Sequence, residues 1–277
     1  MGRLLVIGTD PALRGALEAS HHLSDHTVEG CNGPFEAMRI LRSRAIDVVV
    51  TDPATSAAED LALVQELYQA RPGVRAIVLA TALTNRDVIA ALRNHVYACF
   101  TRPIDYEEVA GMARAAMEDG DWRDGIEVTS GLPYWITLRV SCRLITADRL
   151  TRFMTEYSGN IPSADRDLLM TAFREMLLNA MEHGAGFDPE KVIEVTAAQT
   201  ERAIVFHFRD PGSGFDRSEL THAAPSPDPA DVMKTAIERA AKGVRPGGFG
   251  MLIVRQIVDE LVYNEQGNEV LLIKHLK

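Results

Sequence analysis

The chain has 277 residues, of which 46 % are hydrophobic and 25 % are charged, and its formal net charge is −10. This length suffices for two ordinary domains of a globular protein. Neither half contains a basic stripe or arm, so we expect a protein partner or small ligand, with no nucleic acid and no membrane. The apolar runs are too short to span a bilayer and no signal-peptide pattern is present, which predicts a cytoplasmic protein.

Residues 3–118 alternate short β-branched runs with amphipathic stretches of helical length. The first strand-like run is LLVIG, and the last helix-like run is DYEEVAGMARAAME. Five such strand–helix pairs predict a parallel, doubly wound α/β sheet, in which chemistry gathers at the carboxyl ends of the strands. The polar stretch EDGDWRDG that follows is the best candidate for a linker.

The strand and helix patterns of the second half follow a different order. A strand-like run at 136–144 precedes helix patterns at 147–157 and 163–183, and two further strand runs follow, VIEVTAA and AIVFHFRD. A proline-rich polar segment at 215–246 leads to a glycine-rich loop and the helix pattern MLIVRQIVDEL. A hairpin with its turn at 266–268 comes next.

The stretch REMLLNAMEHGAG places two polar residues in an otherwise apolar helical pattern. Glu175 and Asn179 are four residues apart, so they lie on one face of a helix, a turn from each other. A polar stripe that faces water is the default interpretation of this spacing alone. Two glycine motifs downstream favour a functional interpretation instead.

Both glycine motifs have the chemistry of a ligand site. In RDPGSGFD, Asp210 ends a strand run, and Gly212 and Gly214 remove side chains where backbone can approach a flat ligand. An ordinary turn explains this motif equally well when it is taken alone. In RPGGFG, a glycine-rich loop opens into a helix, whose free N–H groups and positive dipole end suit phosphate.

In this order and spacing, the three motifs resemble the ATP-binding domain shared by histidine kinases, gyrase B and MutL, the GHKL or HATPase_c family. The resemblance covers about 135–277 and implies a Bergerat-fold α/β sandwich that binds ATP and Mg²⁺. EMLLNAMEHG together with GMLIVRQIVDELVYNEQGNEVLLIKHL is most similar to the anti-sigma-factor serine kinase branch, the RsbW and SpoIIAB type.

The family resemblance implies a role for each motif residue. Asn179 would ligate the Mg²⁺ that bridges the triphosphate, and Glu175 would orient or deprotonate the attacking nucleophile. Residues 215–246 would form the ATP lid. Many relatives carry Lys or Arg three residues after the Asn, whereas this chain has Glu182, and nucleotide binding is therefore a firmer expectation than fast phosphoryl transfer. His183 is expected to be either a packed residue or one that supports the residues of the site from outside it.

The same resemblance implies that the remaining motif residues hold the nucleotide. Asp210 would accept a hydrogen bond from the adenine amino group, and Gly212 and Gly214 would let the base approach. Gly248 and Gly250 would give backbone N–H groups to the phosphates.

The first half resembles a response-regulator receiver, through LLVIGTDPALR, IDVVVTD and CFTRPID. This implies a flavodoxin-like (βα)5 fold with Asp52 as the phosphoacceptor candidate. The paired carboxylates that hold Mg²⁺ in receivers fall on Gly8 and Thr9, with only Asp10 one position later. A single aspartate binds a divalent ion poorly, which makes conventional phosphorylation of Asp52 doubtful.

The remaining positions of the receiver site also differ from the residues that receivers have there. The switch Ser or Thr is Ala80 with Thr81 beside it, the conserved Lys is Arg102, and the aromatic switch position is Cys99. We therefore interpret the first half as a degenerate receiver that serves as a docking or dimerisation module, which makes a homodimer one expected assembly.

These inferences give a predicted domain division and three functional hypotheses. The domains are a receiver-like domain at 1–119, a linker at 120–134 and an ATP-binding domain at 135–277. The leading hypothesis is a serine/threonine protein kinase of anti-sigma-factor type that acts on an anti-anti-sigma-like partner. The alternatives are a non-catalytic, ATP-dependent module that sequesters a sigma factor or another regulator, and an atypical histidine kinase.

Overall fold

The structure is a computed structural model that describes residues 1–120, 124–214 and 249–276. The predicted lid at 215–246 and Gly248 lie outside the described residues. The chain divides into two compact units, Met1–Val128 with Arg152–Gly159, and Thr129–Thr151 with Asn160–Lys277. Among the described helices, none has the length and apolar character needed to cross a bilayer.

The first unit contains a five-stranded parallel sheet in the order β2-β1-β3-β4-β5. This is a flavodoxin-like order, as the sequence predicted. Its strands are β1 (Arg3–Ile7), β2 (Thr27–Cys31), β3 (Val48–Thr51), β4 (Arg75–Ala80) and β5 (Ala98–Thr101). Its helices are α1 (Pro11–Ala19), α2 (Pro34–Ser43), α3 (Ala57–Ala70), α4 (Asn85–Arg93) and α5 (Tyr106–Glu118), with a short 3-10 turn at His21–Leu23.

Local hydrogen bonds explain where some of these helices begin. Helix α3 begins at Ala57, where Ser56 and Glu59 form a reciprocal capping box. Thr84 and Asp87 do the same for α4. Strand β4 is buried along its whole length, as expected for a central strand of a parallel sheet. Asp52, the predicted phosphoacceptor, follows β3 at the carboxyl edge of this sheet.

Residues 152–159 also belong to the first unit and place a buried ion pair beside β5. The Glu156 carboxylate accepts hydrogen bonds from the Thr101 backbone N at 3.2 Å and from Thr101 Oγ1 at 2.7 Å. Arg152 pairs with Glu156 and lies 4.8 Å from the ring centroid of Phe100. Because the buried carboxylate has several donors, its charge is compensated.

The second sheet has six strands in the order β10-β11-β9-β8-β7-β6, and the pairs from β7 to β10 are antiparallel. Its strands are β6 (Ile126–Leu132), β7 (Trp135–Ser141), β8 (Val192–Gln199), β9 (Ala203–Arg209), β10 (Glu260–Tyr263) and β11 (Glu269–His275). The described helices are α6 (Leu144–Tyr157), which belongs to the first unit from Arg152 onward, α7 (Ser163–Asn179) and α8 (Phe249–Ile257), with a π-helical turn at Ala180–Gly184. Strand β6 lies within residues 120–134, the stretch that the sequence analysis predicted to be a linker. The domain boundaries given there remain a prediction.

Helix α7 packs on this sheet and on α8. The Phe173 ring meets the rings of Phe206 and Phe208 on β9, with centroids 4.9 Å and 5.1 Å apart. Such aromatic contacts add to the area that the side chains bury. This packing therefore holds on the sheet the helix that carries Glu175 and Asn179.

Candidate functional site

Glu175 lies where α7 meets the amino end of α8. A Cβ atom built on Gly250 would overlap Oε2 of the Glu175 carboxylate, so the end of this side chain approaches the Gly250 backbone closely. Free backbone N–H groups at the first turn of α8 point out of the helix end. The first and third sequence motifs are therefore adjacent in space.

Asn179 is the last residue of α7 and is half-buried. Its Nδ2 lies 4.0 Å from the Met176 sulfur. The π-helical turn that follows carries Glu182, which is half-buried, and His183, which is exposed. His183 is therefore not the packed residue that the sequence suggested.

Asp210 lies at the end of β9, against the π-helical turn. A Cβ on Gly184 would overlap the Asp210 carboxylate, and a Cβ on Gly212 would lie 2.8 Å from Oδ1. The Gly212 N–H donates to Asp210 Oδ1 at 2.8 Å. Partial burial raises the pKa of Asp210, although this hydrogen bond opposes the shift. The carboxylate is thus held in a glycine-lined space with its second oxygen available as an acceptor.

The hairpin between β10 and β11 supports this space. Gly214 has φ +79°, and a Cβ there would overlap the Gln266 carbonyl oxygen. The Asn264 side chain accepts from the Gly267, Asn268 and Glu269 backbone N–H groups at 2.7, 3.1 and 3.2 Å. The Asp210 N–H donates to the Asn268 carbonyl at 3.0 Å. The hairpin therefore fixes the backbone around the predicted adenine acceptor.

Four of the predicted site residues thus fall into two groups, both attached to α7 and the turn after it. The first comprises Glu175 and Gly250, and the second comprises Asp210 and Gly212 against Gly184. Sequence reasoning did not single out Gly184. The HG pair that ends the first motif was the available signal.

The first unit carries the receiver-type site at the carboxyl edge of its sheet. Asp52 follows β3 and is 5 % exposed. Its Oδ2 accepts from the backbone N–H groups of Thr9 at 3.0 Å and Asp10 at 3.2 Å, and its Oδ1 accepts from Ala54 N at 2.9 Å. A Cβ on Gly8 would overlap this carboxylate. Backbone N–H groups therefore surround Asp52 where receivers place metal-binding carboxylates.

Two other polar residues near this edge, Asp10 and Thr81, have structural partners. Asp10 caps α1, since its Oδ1 accepts from Ala12 N at 2.9 Å. Thr81 Oγ1 donates to the Pro53 carbonyl at 2.9 Å, and the Arg102 side chain is exposed. Cys99 is fully buried, which raises the pKa of its thiol. The position of an aromatic switch thus holds an inert core thiol.

Sequence reasoning missed Asp60, a buried carboxylate on α3 that is 2 % exposed. It accepts from Thr55 Oγ1 at 2.7 Å and from Thr51 Oγ1 at 3.2 Å. Burial raises the pKa of Asp60 to about 6, and the nearby charges of Glu59 and Asp52 add to the shift. Asp60 lies on the inner face of an amphipathic helix, and this position in the helical pattern was the only sign in the sequence that its carboxylate is buried.

The pKa of Asp60 predicts a pH-dependent stability. A carboxyl with a raised folded-state pKa stabilises the fold most below its unfolded value, and this contribution is lost as the pH rises through about 6. The free energy needed to open β3 should therefore fall in the wild-type protein as the pH rises from about 4 to about 7. Relative to the Asp60→Asn variant, whose residue 60 does not titrate, we expect a fall of about 2 kcal/mol after allowance for solvent screening. Hydrogen-exchange protection factors of β3 and α3 peptides measure this difference. A constant difference across that range would contradict the prediction.

Comparison with known proteins supports the assignment of the second unit. Residues 141–274 match the family model of the histidine kinase-like ATPase domain. Two relatives are the transcriptional regulatory proteins GlrR of Escherichia coli (strain K12) and QseF of Escherichia coli O157:H7, each 23 % identical over 261 residues. Each alignment covers 88 % of this chain and 57 % of the relative, so the chain spans little more than half of their length.

Solved receiver structures align with part of the chain. The receiver domain of an HD domain-containing protein from Pseudomonas fluorescens Pf-5 is 20 % identical, with a TM-score of 0.37, and the alignment covers 42 % of this chain and 94 % of that one. A Thermotoga maritima response regulator is 16 % identical, with a TM-score of 0.39, over 42 % and 98 % of the two chains. The flavodoxin-like fold is assigned from the strand order of the parallel sheet. The chain therefore joins a flavodoxin-like α/β unit to a second unit in which residues 141–274 are similar to the histidine kinase-like ATPase domain.

Proposed function

We propose that this is a signal-transduction protein whose second unit binds ATP with Mg²⁺. The observation that carries the proposal is the approach of Glu175 to Gly250 and of Gly184 to Asp210, which brings three sequence motifs to the last turns of α7 and the π-helical turn after it. Glycine lines both approaches, as a flat base and a phosphate chain require. The match of residues 141–274 to a histidine kinase-like ATPase domain supports the same ligand.

In this proposal each residue has one task. Asn179 holds Mg²⁺ through its carboxamide oxygen, a ligand that this hard cation accepts. Asp210 accepts from the adenine amino group, and the first turn of α8 at Gly250 donates to phosphate. Glu175 orients or deprotonates the hydroxyl of the acceptor protein. Bound ATP supplies the phosphoryl group.

We propose further that the acceptor is a Ser or Thr of a small partner protein, as in kinases of anti-sigma-factor type. The resemblance of the first and third motifs to that branch supports this finer assignment. In the first unit, the hydrogen bonds that Asp52 receives from backbone N–H groups favour a docking or dimerisation role over phosphorylation. The first unit would then influence the kinase through partner binding.

A second candidate function is a sequestering module that binds ATP without transferring phosphate. The half-buried Glu182 favours it, because it stands where many relatives have a cation that can meet phosphate. A carboxylate near the triphosphate would weaken phosphate binding by charge repulsion. Nucleotide would then serve to order the surface that holds the partner.

Nucleotide binding is the first test of this proposal. We expect the full chain to bind ATP in the presence of Mg²⁺, and Asn179→Asp to weaken that binding at least about tenfold, because the added charge disturbs the metal and phosphate arrangement. Isothermal titration of wild type and variant measures the change. Equal affinities, or a wild-type protein that binds no ATP, would refute the proposed site.

A second variant distinguishes the two candidate functions. Glu175→Ala should retain ATP binding but lose transfer of labelled phosphate to a partner captured on the full chain, because the group that activates the hydroxyl is gone. A sequestering module would keep partner binding and signalling unchanged after this substitution. Acid-labile phosphate on a partner histidine would instead indicate an atypical histidine kinase.

A further inference from the structure

Two histidines and a glutamate cluster in the first unit, away from the strand ends that carry Asp52. His21 and His22 form the 3-10 turn between α1 and β2, and Glu107 lies in the first turn of α5. One ligand atom from each side chain lies within 4.8 Å of one from each of the others. Neither candidate function uses these residues.

The distances suit a small transition-metal ion. His21 Nδ1 lies 3.4 Å from Glu107 Oε2, and the two imidazole ring centroids are 3.9 Å apart with a 37° angle between the ring planes. A tetrahedral ion with ligand bonds of about 2.0–2.1 Å separates neighbouring ligand atoms by about 3.4 Å. His21 and Glu107 therefore already span one edge of such a tetrahedron.

A buried hydroxyl holds the cluster in place. Ser20 is 2 % exposed, and its Oγ donates to Glu107 Oε2 at 2.9 Å while it accepts from the His22 backbone N–H at 3.2 Å. This single group links the two elements that carry the ligands. The His22 ring also lies along α5 at Gly111, where a Cβ would sit 3.6 Å from Nε2. Support of a ligating carboxylate by a further hydrogen bond is usual in metal sites.

We propose that His21, His22 and Glu107 bind one divalent transition-metal ion, with Zn²⁺ the best match. Two imidazoles and one carboxylate disfavour Mg²⁺ and Ca²⁺, which prefer oxygen ligands, and suit Zn²⁺, Co²⁺ or Ni²⁺. Three protein ligands leave a fourth position for water or for a donor atom of another molecule. The ion would join the 3-10 turn to the first turn of α5.

Cobalt provides a spectroscopic test on the intact chain, freed of metal by a chelator and without nucleotide. We expect Co²⁺ to bind with one equivalent, to give visible absorption of tetrahedral intensity, and to be displaced by Zn²⁺. His22→Ala and Glu107→Gln should each weaken binding at least about tenfold. Ser20→Ala should weaken binding less while it keeps the form of the spectrum, because serine orients a ligand without being one.

His95→Asn is the matched control. His95 is an exposed histidine that pairs with Asp124 at 2.7 Å, and asparagine tolerates its φ of +56°. This variant should bind Co²⁺ as wild type does. Zn²⁺ should also raise the midpoint of thermal unfolding in wild type and His95→Asn but not in His22→Ala.

Three results would overturn the site. They are the absence of saturable binding at one equivalent, equal affinity in wild type and His22→Ala, and an equal loss in His95→Asn. Thermal unfolding of every variant without metal shows whether a loss of binding reflects unfolding. If His22→Ala does not fold, the Co²⁺ affinity of Glu107→Gln, which keeps the side-chain size, takes its place in this comparison. Because ATP is absent, failure here leaves the proposed nucleotide site untouched.

Discussion

The Gly8→Ala variant is expected to destabilise the first unit by about 3 kcal/mol or more. Its Cβ would overlap the buried Asp52 side chain, and Gly8 has φ +151°, a region that side chains disfavour. Hydrogen exchange of the β1 and β3 peptides should therefore be about 100-fold faster than in wild type. Gly8→Asp should be at least as damaging, so restoring a receiver-like acidic residue at this position should not create a Mg²⁺ site.

Gly33→Ala separates backbone strain from the clash. Gly33 has φ +157°, but a Cβ there would meet no atom within 4 Å. We expect this variant to cost only the strain, about 1 kcal/mol. Adding Asp52→Gly to Gly8→Ala should recover part of the loss, because it removes the atoms that collide. Gly8→Ala and Gly33→Ala with equal exchange rates would contradict the close approach of Gly8 to Asp52.

The second large effect is expected at Gly184. A Cβ there would overlap the Asp210 carboxylate, so Gly184→Ala must displace the group proposed to accept from adenine. We expect at least about a tenfold weaker affinity for ATP in the presence of Mg²⁺, equivalent to about 1.4 kcal/mol. Titration calorimetry on the full chain measures this loss.

Gly186→Asn is the control for this substitution. Gly186 has φ +67°, which asparagine tolerates, and a Cβ there would have open space. Its affinity for ATP should equal that of wild type. Asp210→Asn should weaken binding as Gly184→Ala does while it leaves thermal unfolding nearly unchanged. If Gly184→Ala and Gly186→Asn bind ATP equally well, Asp210 does not hold the base as proposed.

Much of the fold could be predicted because the periodicities are strong and local. The five strand–helix pairs of the first unit all formed, since buried parallel strands read as continuous apolar runs. The turn at 266–268 was confirmed, and its basis is the Asn264 side chain. Helix α8 ends at Ile257, earlier than the apolar pattern suggested, because residues 260–263 pair with β11. Tertiary pairing overrode local propensity there.

Other features depend on contacts distant in sequence. The pairing of Glu156 with Thr101 joins residues 55 apart, and no local pattern marks it. Strand β6 escaped notice because its polar, glycine-containing sequence suits an edge strand as well as a linker. The raised pKa of Asp60 depends on burial, which an isolated Asp in a helical pattern does not reveal. In the candidate site, the residue types could be predicted from the motifs. The close approach of Glu175 to Gly250 and of Asp210 to Gly184 could not, because it depends on how elements distant in sequence pack together.

The position of β11 has a consequence for how the second sheet assembles during synthesis. Strands β6 to β9 are neighbours in chain order and can pair as they emerge from the ribosome, but β11 lies between β9 and β10. One edge of β9 must therefore stay unpaired until residues 269–275 have left the exit tunnel. Such an open edge can pair with another nascent chain. Synthesis rate through the stretch 210–275 should thus influence how much of the protein aggregates before it folds.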